Sequence, residues 1–103
     1  MNPFLSLKNQ CLIGIIISEE EKLRLEFDSY ILSVFNRYKL ENCSDILSLI
    51  NRKVIEIDIT EGKVFELNFE GGLKLIVYID ENSYYTPEAM ELNGPNNLIA
   101  IWQ

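Results

Sequence analysis

Apolar and polar residues alternate over most of this chain. Ile13, Ile15 and Ile17 fall on every second position, as do Ile55, Ile57 and Ile59, the period of a strand with one face buried. The alternation continues through Leu23, Leu25 and Phe27, with Lys22, Arg24 and Glu26 facing outward. Phe65, Leu67 and Phe69 repeat it, with Glu66 and Asn68 outward. Turns fall at Glu19–Glu21 and at Glu61-Gly62, the latter suited to a two-residue hairpin with positive φ. Glu70-Gly71-Gly72 then leads into Leu73, Leu75, Val77 and Ile79. The stretch "ILSVFNRY" (Ile31–Tyr38) alternates poorly and carries apolar residues on both faces, which places it between layers.

The pattern occurs twice. Leu5-Ser6-Leu7 and Leu47-Ser48-Leu49 are identical, and at the same spacing Asn9 matches Asn51, Ile15 matches Ile57, and Phe27 matches Phe69. Two unrelated segments of this length share on the order of two identities by chance. Each unit reads as a short helix followed by a three-stranded meander, over about residues 2–38 and 44–80. Pro3 after Asn2, and Ser44 before Asp45, supply the helix starts. The turn Asp28-Ser29-Tyr30 lacks the glycines of its counterpart, so its type must differ. Residues 89–102 close the chain as a hairpin with Gly94-Pro95 at its turn. The expectation is a mainly β domain, borderline α+β, spanning residues 1–103. About eight strands and one or two short helices form antiparallel sheets, as a sandwich or one strongly bent sheet that buries the odd-numbered residues.

Composition narrows the function classes. The chain has 16 acids against 9 bases, a formal charge of −7, and no histidine. That charge argues against nucleic acid or anionic lipid as partner and favours a basic protein. The missing histidine removes the commonest general base and the commonest zinc ligand. Cys11 and Cys43 lack the spacing of a metal or redox motif and read as small buried apolar residues, with a disulfide between them not signalled. The run "CLIGIII" reads as a strand rather than a signal peptide, which points to a cytoplasmic protein.

Few residues suggest chemistry. Glu56, Asp58 and Thr60 project from one strand face near Glu61, but a straight strand does not converge ligands on a cation, so they read as a solvated face. Gly71-Gly72 is a turn, not a phosphate cradle. Trp102 reads as core or rim. "DENSYYTPE" (Asp80–Glu88) stands out, because it joins two tyrosines to three acids and no base. Either one tyrosine folds back onto the core, or both offer large contact area to a partner.

"PEAMELNGPNNLIAIW" (Pro87–Trp102), with Glu88, Ala89, Leu92, Gly94 and Pro95, resembles the closing motif of a family of small bacterial β-rich domains. Those domains lie beside toxins of contact-dependent inhibition and other polymorphic systems and are regarded as immunity proteins. "VIEIDI…FELNFEGGLKLIVYID" (Val54–Asp80) looks like the same family's central strands, so the resemblance covers about half the chain. It departs at Asp28-Ser29-Tyr30, where the glycine turn is missing, and it carries over no catalytic or binding residue. It implies an immunity (antitoxin) protein that neutralises a cognate toxin, a basic nuclease domain, by covering its active site or nucleic-acid surface. No enzyme activity, cofactor, metal, nucleic acid or membrane is expected, and the chain is expected as a monomer or weak homo-oligomer. Charge and aromatic content nominate Glu19, Glu20, Glu21, Asp80, Glu81, Tyr84, Tyr85 and Glu88 as partner-binding residues. The alternative is a structural or regulatory β-module that self-associates through an exposed edge strand, without a toxin.

Overall fold

The computed structural model describes residues 2–19 and 22–103. Over these residues nine strands form two antiparallel sheets in a sandwich-like arrangement, joined by short 3-10 turns and no long helix. The strands are β1 (Leu12–Ile16), β2 (Leu23–Phe27), β3 (Ile31–Val34), β4 (Tyr38–Glu41), β5 (Val54–Thr60), β6 (Val64–Phe69), β7 (Lys74–Tyr78), β8 (Met90–Gly94) and β9 (Leu98–Trp102). One sheet has the order β1-β2-β3-β8-β9 and the other β4-β7-β6-β5.

The two units are structurally equivalent. Each begins with a 3-10 turn, Pro3–Leu7 and Ile46–Leu49, whose last leucine (Leu7, Leu49) is fully buried. Asn2 caps the first turn by accepting from the Phe4 N–H at 2.9 Å. In the second the cap is Asp45 rather than Ser44, accepting from the Leu47 N–H at 3.0 Å. Three-stranded meanders follow, β1-β2-β3 and β5-β6-β7, with matching partners: Ile15 faces Leu25 as Ile57 faces Leu67. The register changes only at the second turn of each meander. The Phe27 N–H bonds to Tyr30 O, whereas the Phe69 N–H bonds to Leu73 O, so the Gly71-Gly72 turn holds one extra residue. Both of those glycines have positive φ, which Asp28 and Ser29 avoid. The Glu61-Gly62 turn also differs from the expected two-residue type. It spans Glu61–Lys63, with Gly62 at φ 69° and the Lys63 N–H donating to Thr60 O.

Each unit also has a fourth strand, which the sequence reading did not resolve. After β3 the chain crosses to pair β4 with β7; after β7 it crosses back to pair β8 with β3. Leu40 faces Leu75 as Leu92 faces Leu32. The two units therefore exchange their last strands, and β9 extends one sheet beyond this symmetry. The poorly alternating Ile31–Tyr38 stretch is β3, the crossover and the first residue of β4. As a central strand β3 buries Leu32, Ser33 and Val34.

Strict alternation fails at the first strand of each unit. Leu12 faces Phe27 and Gly14 faces Glu26, so Ile13 is an extra residue on β1; Ile55 is the matching extra residue on β5. Such a bulge turns the extra side chain out of the ladder. Ile13 and Ile55 are consequently exposed, as is Ile17 beyond the end of β1, while Leu12, Val54 and Ile57 are buried. The core fills the space between the sheets with Phe27, Phe65 and Phe69 and with leucines from both units. Phe4 and Trp102 extend it, their rings edge-to-face at 5.3 Å. Cys11 and Cys43 are free thiols, half-buried rather than buried.

Candidate functional site

The crossover from β7 to β8, Ile79–Ala89, is much longer than its counterpart Phe35–Arg37 between β3 and β4. It contains the acidic tyrosine segment, and its own side chains fold it. Asp80 accepts from the Ser83 hydroxyl at 2.7 Å, and Asp80 O accepts from the Ser83 N–H at 3.0 Å, closing a 3-10 turn over Glu81–Ser83. Ser83 is buried, and its oxygen also accepts from Arg37 Nη2 at 3.4 Å. The Arg37 guanidinium lies 4.3 Å over the Tyr78 ring. Farther along, the Thr86 hydroxyl donates to Glu88 O at 2.7 Å. Buried Ala89 then anchors the loop, donating to Trp102 O and accepting from the Phe35 N–H.

The short crossover braces the long one. Asn36 is fully buried and its amide donates to Tyr78 O at 2.8 Å, just before the loop begins. Its own side-chain oxygen has no hydrogen-bond partner among the described residues. Loops position function best when the scaffold around them is rigid. Here groups from the β3–β4 crossover, β7 and β9 all hold the loop.

The two tyrosines divide their roles. Tyr84 is half-buried against the core, and that burial, with the Asp80 charge second, pushes its phenol above the usual tyrosine range. Tyr85 is 60% exposed. Lys22, immediately before β2, lies with Nζ 3.7 Å from the centroid of the Tyr85 ring. This contact brings together two segments more than sixty positions apart in the chain. Glu19, Glu81 and Tyr85 are exposed, and Asp80, Tyr84 and Glu88 are half-buried. Glu20 and Glu21 lie outside the described residues.

The segment Asp80–Glu88 has no base of its own, but bases reach it from elsewhere in the fold. Lys22 and Arg37 both touch it, from other elements, and nothing in the linear sequence linked them to it. Elsewhere, Glu56 and Asp58 lie exposed on β5, where Asp58 accepts from the Asn68 amide at 2.9 Å and Glu56 approaches Lys8 at 3.7 Å. Among the described residues no group of three or more His, Cys, Asp or Glu is placed to hold a metal ion. No helix among them is long and apolar enough to cross a membrane. Comparison of the chain with family models, curated proteins and solved structures returns no match.

Proposed function

We propose that this chain is an immunity-type inhibitor that binds a cognate toxin through the surface where the β1–β2 turn meets the Ile79–Ala89 loop. The observation that carries this reading is the Lys22–Tyr85 contact, which joins the start of β2 to the braced acidic loop and leaves an exposed tyrosine at the junction. An exposed tyrosine offers a large, low-entropy contact, and a loop already held by Asp80, Ser83 and Arg37 loses little freedom on binding. The chain's −7 charge suits a basic partner. A nuclease domain fits that description, because its substrate groove must attract phosphate. Acids seated in that groove would compete with the nucleic acid for the same cations.

In this reading the acids speed encounter and the tyrosine slows departure. Neutralisation requires tight binding, and a nanomolar complex corresponds to about −12 kcal/mol. Inhibition by coverage needs no catalytic group on this chain, and protection against a toxin that acts on nucleic acid inside the cell requires a cytoplasmic inhibitor. This reading expects a large secreted protein with a basic C-terminal domain to be encoded beside this chain, and the test is to purify that domain and measure its association with the chain by stopped flow at low and high salt. Glu19→Gln with Glu81→Gln should slow association and flatten its salt dependence. Tyr85→Ala should speed dissociation by about tenfold for each 1.4 kcal/mol lost. Salt-insensitive association, with all of these variants still protecting cells, would overturn the assignment.

A further inference from the structure

The two sheets expose four edge strands, β1 and β9 on one and β5 and β4 on the other. An open edge offers unpaired N–H and C=O groups to any incoming strand, and proteins blunt it with bulges, charges or covering chain. Three of the four edges carry such a device. β1 is bulged at Ile13, and its start is held by the chain ahead of β5 through Leu12 N–H to Arg52 O and Asn51 N–H to Leu12 O. β5 has the same bulge and adds Glu56 and Asp58. β4 is only four residues long, and its Lys39 and Glu41 pair at 3.2 Å.

Among the described residues β9 has none of these devices. Its register on β8 is unbroken from Leu98 to Trp102, and it contains no charge, proline or bulge. Its outward side chains, Ile99 and Ile101, are 65% and 48% exposed. We propose that β9 pairs antiparallel with β9 of a second copy of this chain, about a two-fold axis at Ala100, so that two five-stranded sheets become one.

The strand is built for self-pairing. A two-fold contact must be self-complementary. In "LIAIW" this register sets Ile99 against Ile101 of the second copy on the outer face, and Leu98 against Trp102 on the inner face. The small Ala100 meets itself at the axis. Two chains of −7 repel each other, and β9, like β1 but unlike β4 and β5, brings no acid of its own to the contact. Space is also available. A cavity of about 340 Å³ opens beside the end of β9, lined by Phe4, Ile59, Ala100 and Trp102 together with the polar Asn2 and Glu61. Leu98 of the second copy, opposite Trp102, would be received there. This dimer does not depend on the toxin-binding reading, since its contacts lie on β9 and not on the Tyr85 surface.

Sedimentation velocity of the full chain over a wide concentration series tests it. The mass should rise from 12.0 kDa toward twice that value. Ile99→Lys with Ile101→Lys, at outward positions that leave the core intact, should weaken association more than about tenfold, the change that about 1.4 kcal/mol produces. Ile16→Lys on β1 should leave the dimer unchanged. Hydrogen exchange of the unmodified chain provides a reading independent of any variant: amides of 98–102 should slow with concentration while those of 12–16 do not. A monomer at every concentration would overturn the proposal, as would a dimer indifferent to both β9 lysines or one lost equally to Ile16→Lys. Protection of 98–102 only on addition of the toxin domain would also overturn it, by assigning the edge to a foreign strand.

Discussion

Asn9 and Asn51 hold the two halves of the molecule together by the same bond made twice. Both adopt the left-handed conformation, at φ 73° and 71°. From there the Asn9 N–H donates to Val54 O and the Asn51 N–H to Leu12 O, each at 2.7 Å. Leu12 N–H to Arg52 O and Val54 N–H to Gln10 O complete the exchange, at 3.0 and 2.9 Å, around the isolated Cys11–Lys53 bridge. Each unit thus feeds the first strand of the other, and an approximate two-fold axis passes between them.

That symmetry gives a quantitative expectation. Asparagine tolerates positive φ, whereas alanine pays about 1–2 kcal/mol for it. Asn9→Ala and Asn51→Ala should each destabilise the fold by about 1 kcal/mol, to similar extents, while Asn→Gly at either site should stay within about 0.5 kcal/mol. Urea midpoints of the four variants check this. A large effect at one site and none at the other would contradict structural equivalence.

The bulges make a second prediction, and one that distinguishes neighbours in sequence. Ile55 is squeezed out of β5 and 47% exposed, whereas Ile57 is buried. Ile55→Ala should change stability by less than about 1 kcal/mol, while Ile57→Ala should cost roughly 2–4 kcal/mol and Phe69→Ala roughly 3–5 kcal/mol. Equal losses at Ile55 and Ile57 would restore the unbroken alternation that the sequence suggests.

These examples mark how far the sequence could be read. The repeat was legible because its turns use the same residues: Asn9 and Asn51 stand at equal spacing and equal φ. The fourth strand was not legible, because the spacing slips. One residue is added at Gly71-Gly72, and the long Ile79–Ala89 crossover moves β8 out of step with β4. A bulge also leaves no mark in a run such as "LIGIII", where both faces would be apolar. At the candidate site, charge and aromatic content singled out the loop and the turn separately, and nothing in the sequence indicated that the two segments meet. The residue that connects them, Lys22, is one of nine bases and carries no local signal.

The division between the tyrosines yields a third prediction. Tyr84 packs on the core and Tyr85 does not. Tyr84→Ala should lower the melting temperature by removing buried ring area, with a cost of about 1.5–3 kcal/mol for a partly buried aromatic. Tyr85→Ala should leave stability within about 1 kcal/mol, since its ring is mostly exposed and its contact with Lys22 is an exposed cation–π pair. Thermal melts of both variants decide the matter, and reversed magnitudes would mean that the wrong ring faces solvent.

Alkaline pH supplies the last prediction. The Tyr84 phenol is held above the ordinary tyrosine value of 10.0, first by burial and then by the Asp80 carboxylate. The unfolded chain releases this proton near the ordinary value, while the folded chain retains it to higher pH. The contribution of Tyr84 to stability is therefore fully present below about pH 10 and is lost as pH rises through the raised folded value. Tyr84→Phe removes the titrating hydroxyl while keeping the ring. Its stability should match that of the parent at neutral pH and fall less steeply above pH ~10, and ultraviolet titration of the parent should contain one late tyrosinate step that the variant lacks. Urea midpoints measured across that pH range provide the comparison. Parallel curves for parent and variant would show that Tyr84 titrates as an ordinary exposed phenol, and would place it on the outside of the loop with Tyr85.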